Sequence, residues 1–321
     1  MSRPSAPRGP DVAAEALCVL FFALVVAAAN VLQVFYIVFP ELAALSSDVL
    51  LRPKGKWARS PWKLIATPVA GAGAGTLIAG HLPYGAFSIL LAVAATIAII
   101  FALRSSVAPA ISAAVLPVVL GVKSWLYPLG VVGTLTVLAV MLLIWRTSPM
   151  GRSLYPPGGV DDRAVNILES RPKERWWLAG LFAFVASMGL AAQFTGWRFI
   201  LFPPLIVMAY EMLGHPETCP WAKPPYTFPL ACSLAALIGV AVERWLGVTP
   251  LASALALTGA ILILRLLRLR MPPVLAIGLI PFVIPAPTYL YAASVAIGAI
   301  ALTGWFLLFQ RLVGSRQPGI S

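Results

Sequence analysis

The sequence predicts an all-α, polytopic membrane protein made of two parallel repeats of about six membrane segments each. Three observations lead there. Of the 321 residues 60% are hydrophobic and only 11% charged, with a mean hydropathy of +0.91, whereas soluble domains carry about 25% charged residues. The apolar residues gather into runs close to the roughly 20 that a helix needs to cross the hydrocarbon. The chain also repeats itself. Arg104, Pro109 and Pro117 stand at the spacing of Arg268, Pro273 and Pro281, each pair 164 positions apart. The same offset joins Trp57-Ala58 to Trp221-Ala222, Pro61 to Pro225, and Trp125-Leu126-Tyr127 to Tyr289-Leu290-Tyr291. Upstream the offset is 163, relating Asn30 to Gln193, Phe39-Pro40 to Phe202-Pro203 and Asp48 to Glu211. A drift of one residue over so long an interval points to duplication.

Taken in order, residues 1–13 form an amino-terminal tail and 14–146 the first repeat. Arg3, Arg8 and the run ending at Ala27-Ala28-Ala29 have the look of a signal peptide. Asp11 and Glu15 sit badly in such a signal, and its copy at Trp176 to Thr195 lies mid-chain, so Ala14 to Val31 reads as a retained span. A shorter piece, Phe35 to Leu51, carries Pro40 near its start. Then comes a loop with Arg52, Lys54, Lys56, Arg59 and Lys63 and no acid. Leu64 to Ala79 is the next span, with Pro68 and the series Gly71, Gly73, Gly75; small residues at this spacing let helices in lipid approach closely. Ala86 to Leu103, the short Pro109 to Gly121 and Leu126 to Trp145 complete the unit. Residues 147–175 are a linker, with a short surface helix expected from Asp161; 176–312 are the second repeat and 313–321 a tail.

If the short segments cross, each repeat has six crossings and the basic loops fall on one side. The positive-inside rule then places both termini in the cytoplasm and the chain in the cell membrane. Six is even, so the repeats point the same way. The net charge of +12 is explained by cations at the ends of apolar runs, and no separate basic domain exists for nucleic acid. Cys18, Cys219 and Cys232 show neither metal spacing nor a disulfide framework. His81 and His215 lie at non-equivalent positions without further ligands, and no triad or phosphate loop is present. Neither an enzyme, a metal site nor a bound cofactor is expected. The bilayer is the evident partner, and a homo-oligomer is open.

The candidate chemistry lies in four short segments that begin at proline: Pro40, Pro109, Pro203-Pro204 and Pro272-Pro273. Proline suits the first turn of a helix. A helix starting inside the bilayer aims unpaired N–H groups and a positive dipole end at what lies ahead, an arrangement transporters use for anions. Pro40, Glu41, Pro109, Ala110, Pro203, Pro204, Pro272 and Pro273 are therefore the expected substrate-binding residues. Asp48, Glu211, Arg104 and Arg268 are candidates for gating or charge relay; the simpler role for the two acids is pairing with Arg52 or another cation at the cytoplasmic end. For the arginines it is anchoring at the interface. Glu41 is the sharpest of the acids, because an ionisable group at bilayer depth is costly.

The order of the second repeat carries a family resemblance. Its span, its turn at Gly196-Trp197, the Pro203-Pro204 segment, the loop Pro220-Trp221-Ala222-Lys223-Pro224, two spans, Met271-Pro272-Pro273 and a last span resemble the HPP family of integral membrane proteins. Met271 stands where that family has histidine, and ELAALSSDV and LIVMAYEML replace its small-residue run. The resemblance implies a transporter-like protein, with a nitrite-like anion as solute. A transporter or channel for a small anion is thus the expectation, and a non-transporting membrane subunit or scaffold the alternative.

Overall fold

The computed structural model describes residues 9–154, 176–216, 219, 221 and 226–314. The termini, the expected surface helix with Asp161 and Asp162, and all of the Pro220 to Pro224 loop but Trp221 lie outside them. Among the described residues there are helices and no strands. They are α1 Gly9–Leu32, α2 Glu41–Leu51, α3 Pro61–His81, α4 Ala86–Ala102, α5 Pro109–Leu120, α6 Leu126–Thr147 and the single turn α7 Pro149–Ser153. After the linker come α8 Trp176–Thr195, α9 Pro203–Gly214, α10 Thr227–Leu246, α11 Pro250–Leu266, α12 Pro273–Leu279 and α13 Tyr289–Gly314. Short 3-10 turns, Phe35–Ile37 and Arg198–Leu201, lead into α2 and α9, and Ile280–Val283 follows α12.

Six of these, α1, α3, α6, α8, α10 and α13, are long and apolar enough to span a membrane. The chain is a multi-pass membrane protein. Local sequence sets the helix limits. Pro61, Pro109, Pro203, Pro250 and Pro273 stand in first turns, where a missing N–H is no loss. Helices α4 and α11 both close on an arginine in the left-handed region, Arg104 at φ 48° and Arg268 at φ 54°. The next amide turns back in each case, Ser105 N to Ile100 O at 2.9 Å and Leu269 N to Leu264 O at 2.8 Å.

The short helices form the centre. Helix α2 packs on α5 and α12, and α9 packs on the same two, closing a ring of four. Buried residues run unbroken from Glu41 to Leu50, Pro109 to Val119, Pro203 to Leu213 and Pro273 to Leu279. The long helices, with α4 and α11, surround this ring and expose large apolar side chains such as Leu24, Leu143, Phe194 and Leu255. That distribution suits a lipid surround.

Two of the short segments run alongside a long neighbour. Tyr36 and Ile37 lie against Gly130 near the start of α6, whereas Leu50 O accepts from Trp145 Nε1 near its end, at 2.9 Å. In the second half Ile200 lies against Gly298 in α13, and Pro216 O accepts from Gln310 Nε2 further along, at 3.4 Å. One end of the bundle collects the basic loop. There Lys63 Nζ donates to Arg104 O at 2.8 Å, Trp57 Nε1 to Ser106 O at 2.9 Å and Arg146 Nε to Pro53 O at 2.7 Å.

The halves are tied by α1 on α11 and α4 on α8. Asn30 Nδ2, near the end of α1, donates to Val248 O just before α11, at 2.9 Å. Gln193 Oε1, near the end of α8, accepts from Ala86 N at the start of α4, at 3.1 Å. Arg198 lies 4.6 Å over the Tyr84 ring across the same boundary. Burial pushes the Tyr84 hydroxyl above its usual range, and the Arg198 charge opposes the shift. Glu15 and Arg265 form an ion pair between α1 and α11. The acid that fits no signal peptide therefore has a partner from the other half.

Where α3 meets α5 the backbones touch. A Cβ on Gly75 would stand 2.0 Å from Ala114 O, and one on Gly239, in α10, 2.1 Å from Gly278 O in α12. Gly75→Ala and Gly239→Ala each force the paired helices apart, with an expected loss of about 1–3 kcal/mol or more. Gly133, with nothing within 4 Å of its Cβ position, is the control, and Gly133→Ala is expected not to lower stability. Thermal unfolding of the three variants in one detergent checks this.

Candidate functional site: the meeting of the short helices

Glu41 opens α2 directly after Pro40, and both are buried. Its side chain is enclosed by neighbouring helices, and the residue is 2% exposed. Oε1 accepts a hydrogen bond from Ser112 Oγ, one turn into α5. Helices α2 and α5 enter from opposite ends of the bundle, so this contact is where their amino ends face each other. Oε2 has no hydrogen-bond partner among the described residues. The helix Glu41 opens packs on α5 from its own half and on α12 from the other. The surroundings are otherwise apolar: Phe39, Leu42, Leu45 and Ile111 are fully buried, and Phe39 meets Tyr127 edge-on at 6.4 Å.

The tyrosines repair a break in the short helices. In an α-helix the carbonyl of residue i accepts from the amide of i+4. For Ala113 that residue is Pro117, and for Ile277 it is Pro281, and proline has no N–H. Tyr127 Oη donates to Ala113 O at 2.9 Å, and Tyr291 Oη donates to Ile277 O at 2.8 Å. Each tyrosine, one long helix away, supplies the donor its proline removes. Sequence reading noticed all four residues and missed the connection. The signal was available, since 113 plus four is 117 and both pairs recur at the same offset.

The carboxyl–hydroxyl pair itself occurs once. Pro204 stands 163 positions after Glu41, and Ala276 stands 164 after Ser112. Ser112 was not singled out by sequence, because a serine in an apolar run carries no motif.

The remaining candidates divide. Pro40, Pro109, Ala110, Pro203, Pro204 and Pro273 are buried at the starts of the four short helices, with Pro272 half-buried beside them. Asp48 is bonded to Arg52 one turn on, both buried at the far end of α2. This is the pairing that the simpler role gave it. Glu211, near the end of α9, and His215, just after it, occupy the corresponding places and are also buried. Arg104 and Arg268 are exposed at turns that precede α5 and α12, and the structure does not bring either to Glu41. Two pockets of about 360 and 350 Å³ lie at the basic end, and neither includes Glu41. Among the described residues no three His, Cys, Asp or Glu gather as a metal site. No protein-family profile, curated protein or solved structure matches this chain.

Tyr127→Phe leaves Ala113 O buried without a donor and is expected to cost about 1–3 kcal/mol. Adding Pro117→Ala returns an amide at the right place, so the hydroxyl should matter far less in that background. A double-mutant cycle by thermal unfolding checks the coupling, and additive losses would show that the tyrosine does something else.

Proposed function

We propose that this protein is a transporter that carries a small univalent anion together with a proton through the ring of Pro-headed short helices. The observation that carries the reading is Glu41. An isolated ionised carboxylate in apolar surroundings is prohibitively unfavourable. Ser112 gives it one neutral donor, and no cation faces it among the described groups. A proton taken up there removes the charge, and the amino ends of the short helices offer positive dipole ends to an accompanying anion. Intramembrane acids of this kind mark proton and solute paths. The resemblance to the HPP family points to a nitrite-like anion.

We further infer two repeats of six crossings each, with both termini in the cytoplasm. The recurrence at 164 supports it: α4 and α11 have equivalent limits, and the pairs Tyr127 with Ala113 and Gly75 with Ala114 return as Tyr291 with Ile277 and Gly239 with Gly278. The course of the α2 and α9 segments alongside α6 and α13 favours crossing over re-entry, and the basic end is assigned to the cytoplasm by the positive-inside rule.

The rival reading, a non-transporting scaffold, draws on how tightly the centre is filled: Phe39, Leu42, Phe202 and Leu205 are wholly buried there. Flux into proteoliposomes separates the two. Nitrite and formate uptake should rise with an inward proton gradient, and Glu41→Gln, which keeps the shape and loses the titratable group, should abolish that stimulation while folding normally. Arg268→Ala should leave it intact. No flux of any small anion under either gradient would favour the scaffold.

A further inference from the structure

At the basic end a pocket of about 350 Å³ is lined by Lys56, Trp57, Ser60, Lys63, Arg104, Ser105, Ser106 and Val107. Three of these side chains are cationic and none is acidic. They come from three separate elements: the loop after α2, the start of α3 and the turn between α4 and α5. Their convergence is therefore a product of the fold and not of a local run. We propose that this pocket binds a phosphate group, carried by an anionic phospholipid headgroup or by a free phosphate.

The side chains are arranged for it. Lys63 Nζ is fixed by its 2.8 Å bond to Arg104 O, and an ammonium has three donors, so two remain to be directed at a ligand. Ser60 stands at the amino cap of α3 without its hydroxyl capping the helix, which leaves that hydroxyl available. Trp57 is pinned through Nε1 to Ser106 O at 2.9 Å, and Thr67 Oγ1 donates to Ser105 Oγ at 2.8 Å. These bonds tie the wall together, and Lys56 and Arg104 are exposed beside it.

Arg104 supplies a second line of argument. It occupies the left-handed position that closes α4, at φ 48°, where glycine is the unstrained choice. Arg268 closes α11 in the same way, at φ 54°, so the turn belongs to both halves; particular to the first is that its exposed arginine lines this pocket. Arginine matches phosphate with a planar fork of donors. The positions 164 further on keep the arginine, as Arg268, but have Pro220, Pro224, Thr227 and Leu269 in place of Lys56, Ser60, Lys63 and Ser105, so the set is not repeated. The chemistry is thus particular to the first half, and it stands independently of the transport reading. Basic pockets between membrane helices at a cytoplasmic face are known to suit phospholipid headgroups.

The substitution Arg104→Gly makes the test clean, because it relieves the turn while removing the fork. The full chain, purified in a neutral detergent, is examined by native mass spectrometry and thermal unfolding with phosphatidylglycerol, phosphatidylcholine, inorganic phosphate or pyrophosphate. The wild type should retain phosphatidylglycerol, or be stabilised by a free phosphate, over phosphatidylcholine. Binding should weaken about tenfold or more in Arg104→Gly, the loss of one charge-assisted contact. Lys56→Gln should weaken it in the same sense. A response to phosphatidylglycerol alone identifies a lipid site, and a response to free phosphate or pyrophosphate identifies a soluble ligand. No preference for either over phosphatidylcholine, or equal binding by both variants and wild type, overturns the proposal.

Discussion

In hydrocarbon no water is at hand, so every backbone donor and acceptor has to be satisfied from within the protein. This chain has 29 prolines and places several of them inside its most deeply buried helices. Each one there deletes a donor and leaves a carbonyl to be accounted for. Tyr127 and Tyr291 are the answer at Ala113 and Ile277, and their reach fixes how α6 and α13 lie against the short helices. The close backbone approach at Gly75 and Gly239 fixes α3 and α10 on the other side. A short helix held from two sides in this way can begin and end within the bundle without fraying. The position of Glu41 follows from that support, since the residue opens such a helix and has its contact on another.

The joint between the halves rests on polar groups spaced along their border. Asn30 and Gln193, matched at an offset of 163, each reach the start of a helix in the opposite half. Each ties the end of one long helix to the first residues of, or just before, a helix across the border. Glu15 with Arg265 and Arg198 with Tyr84 have no such twin in kind, because Leu178, Phe101, Phe35 and Val248 stand at the corresponding positions. The border therefore combines one pair of contacts at matching positions with others that occur once.

Much of the fold was legible in the sequence, for physical reasons. Span limits followed from apolar length and from proline and glycine, so the long helices and all four short ones appear near their expected places. The pairing of Asp48 with Arg52 could be read because residues four apart share a helix face. What stayed hidden depends on contacts between distant segments. Ser112 gains meaning only when α5 is laid against α2. Lys63 and Arg104, 41 positions apart, become neighbours only through the packing of α3 on the α4–α5 turn. Arg104 stands exposed at the basic end, where the simpler reading of it as an anchor put it, because the helix it precedes carries the chain inward while the arginine stays behind.

Glu41 and Ser112 exist in one half alone. On the proposed cycle a lone carboxyl limits coupling to a single proton per turnover, and with a univalent anion the cargo is then electrically neutral. Such a carrier would run on the difference in acidity across the bilayer, and the voltage across it would contribute nothing to the driving force.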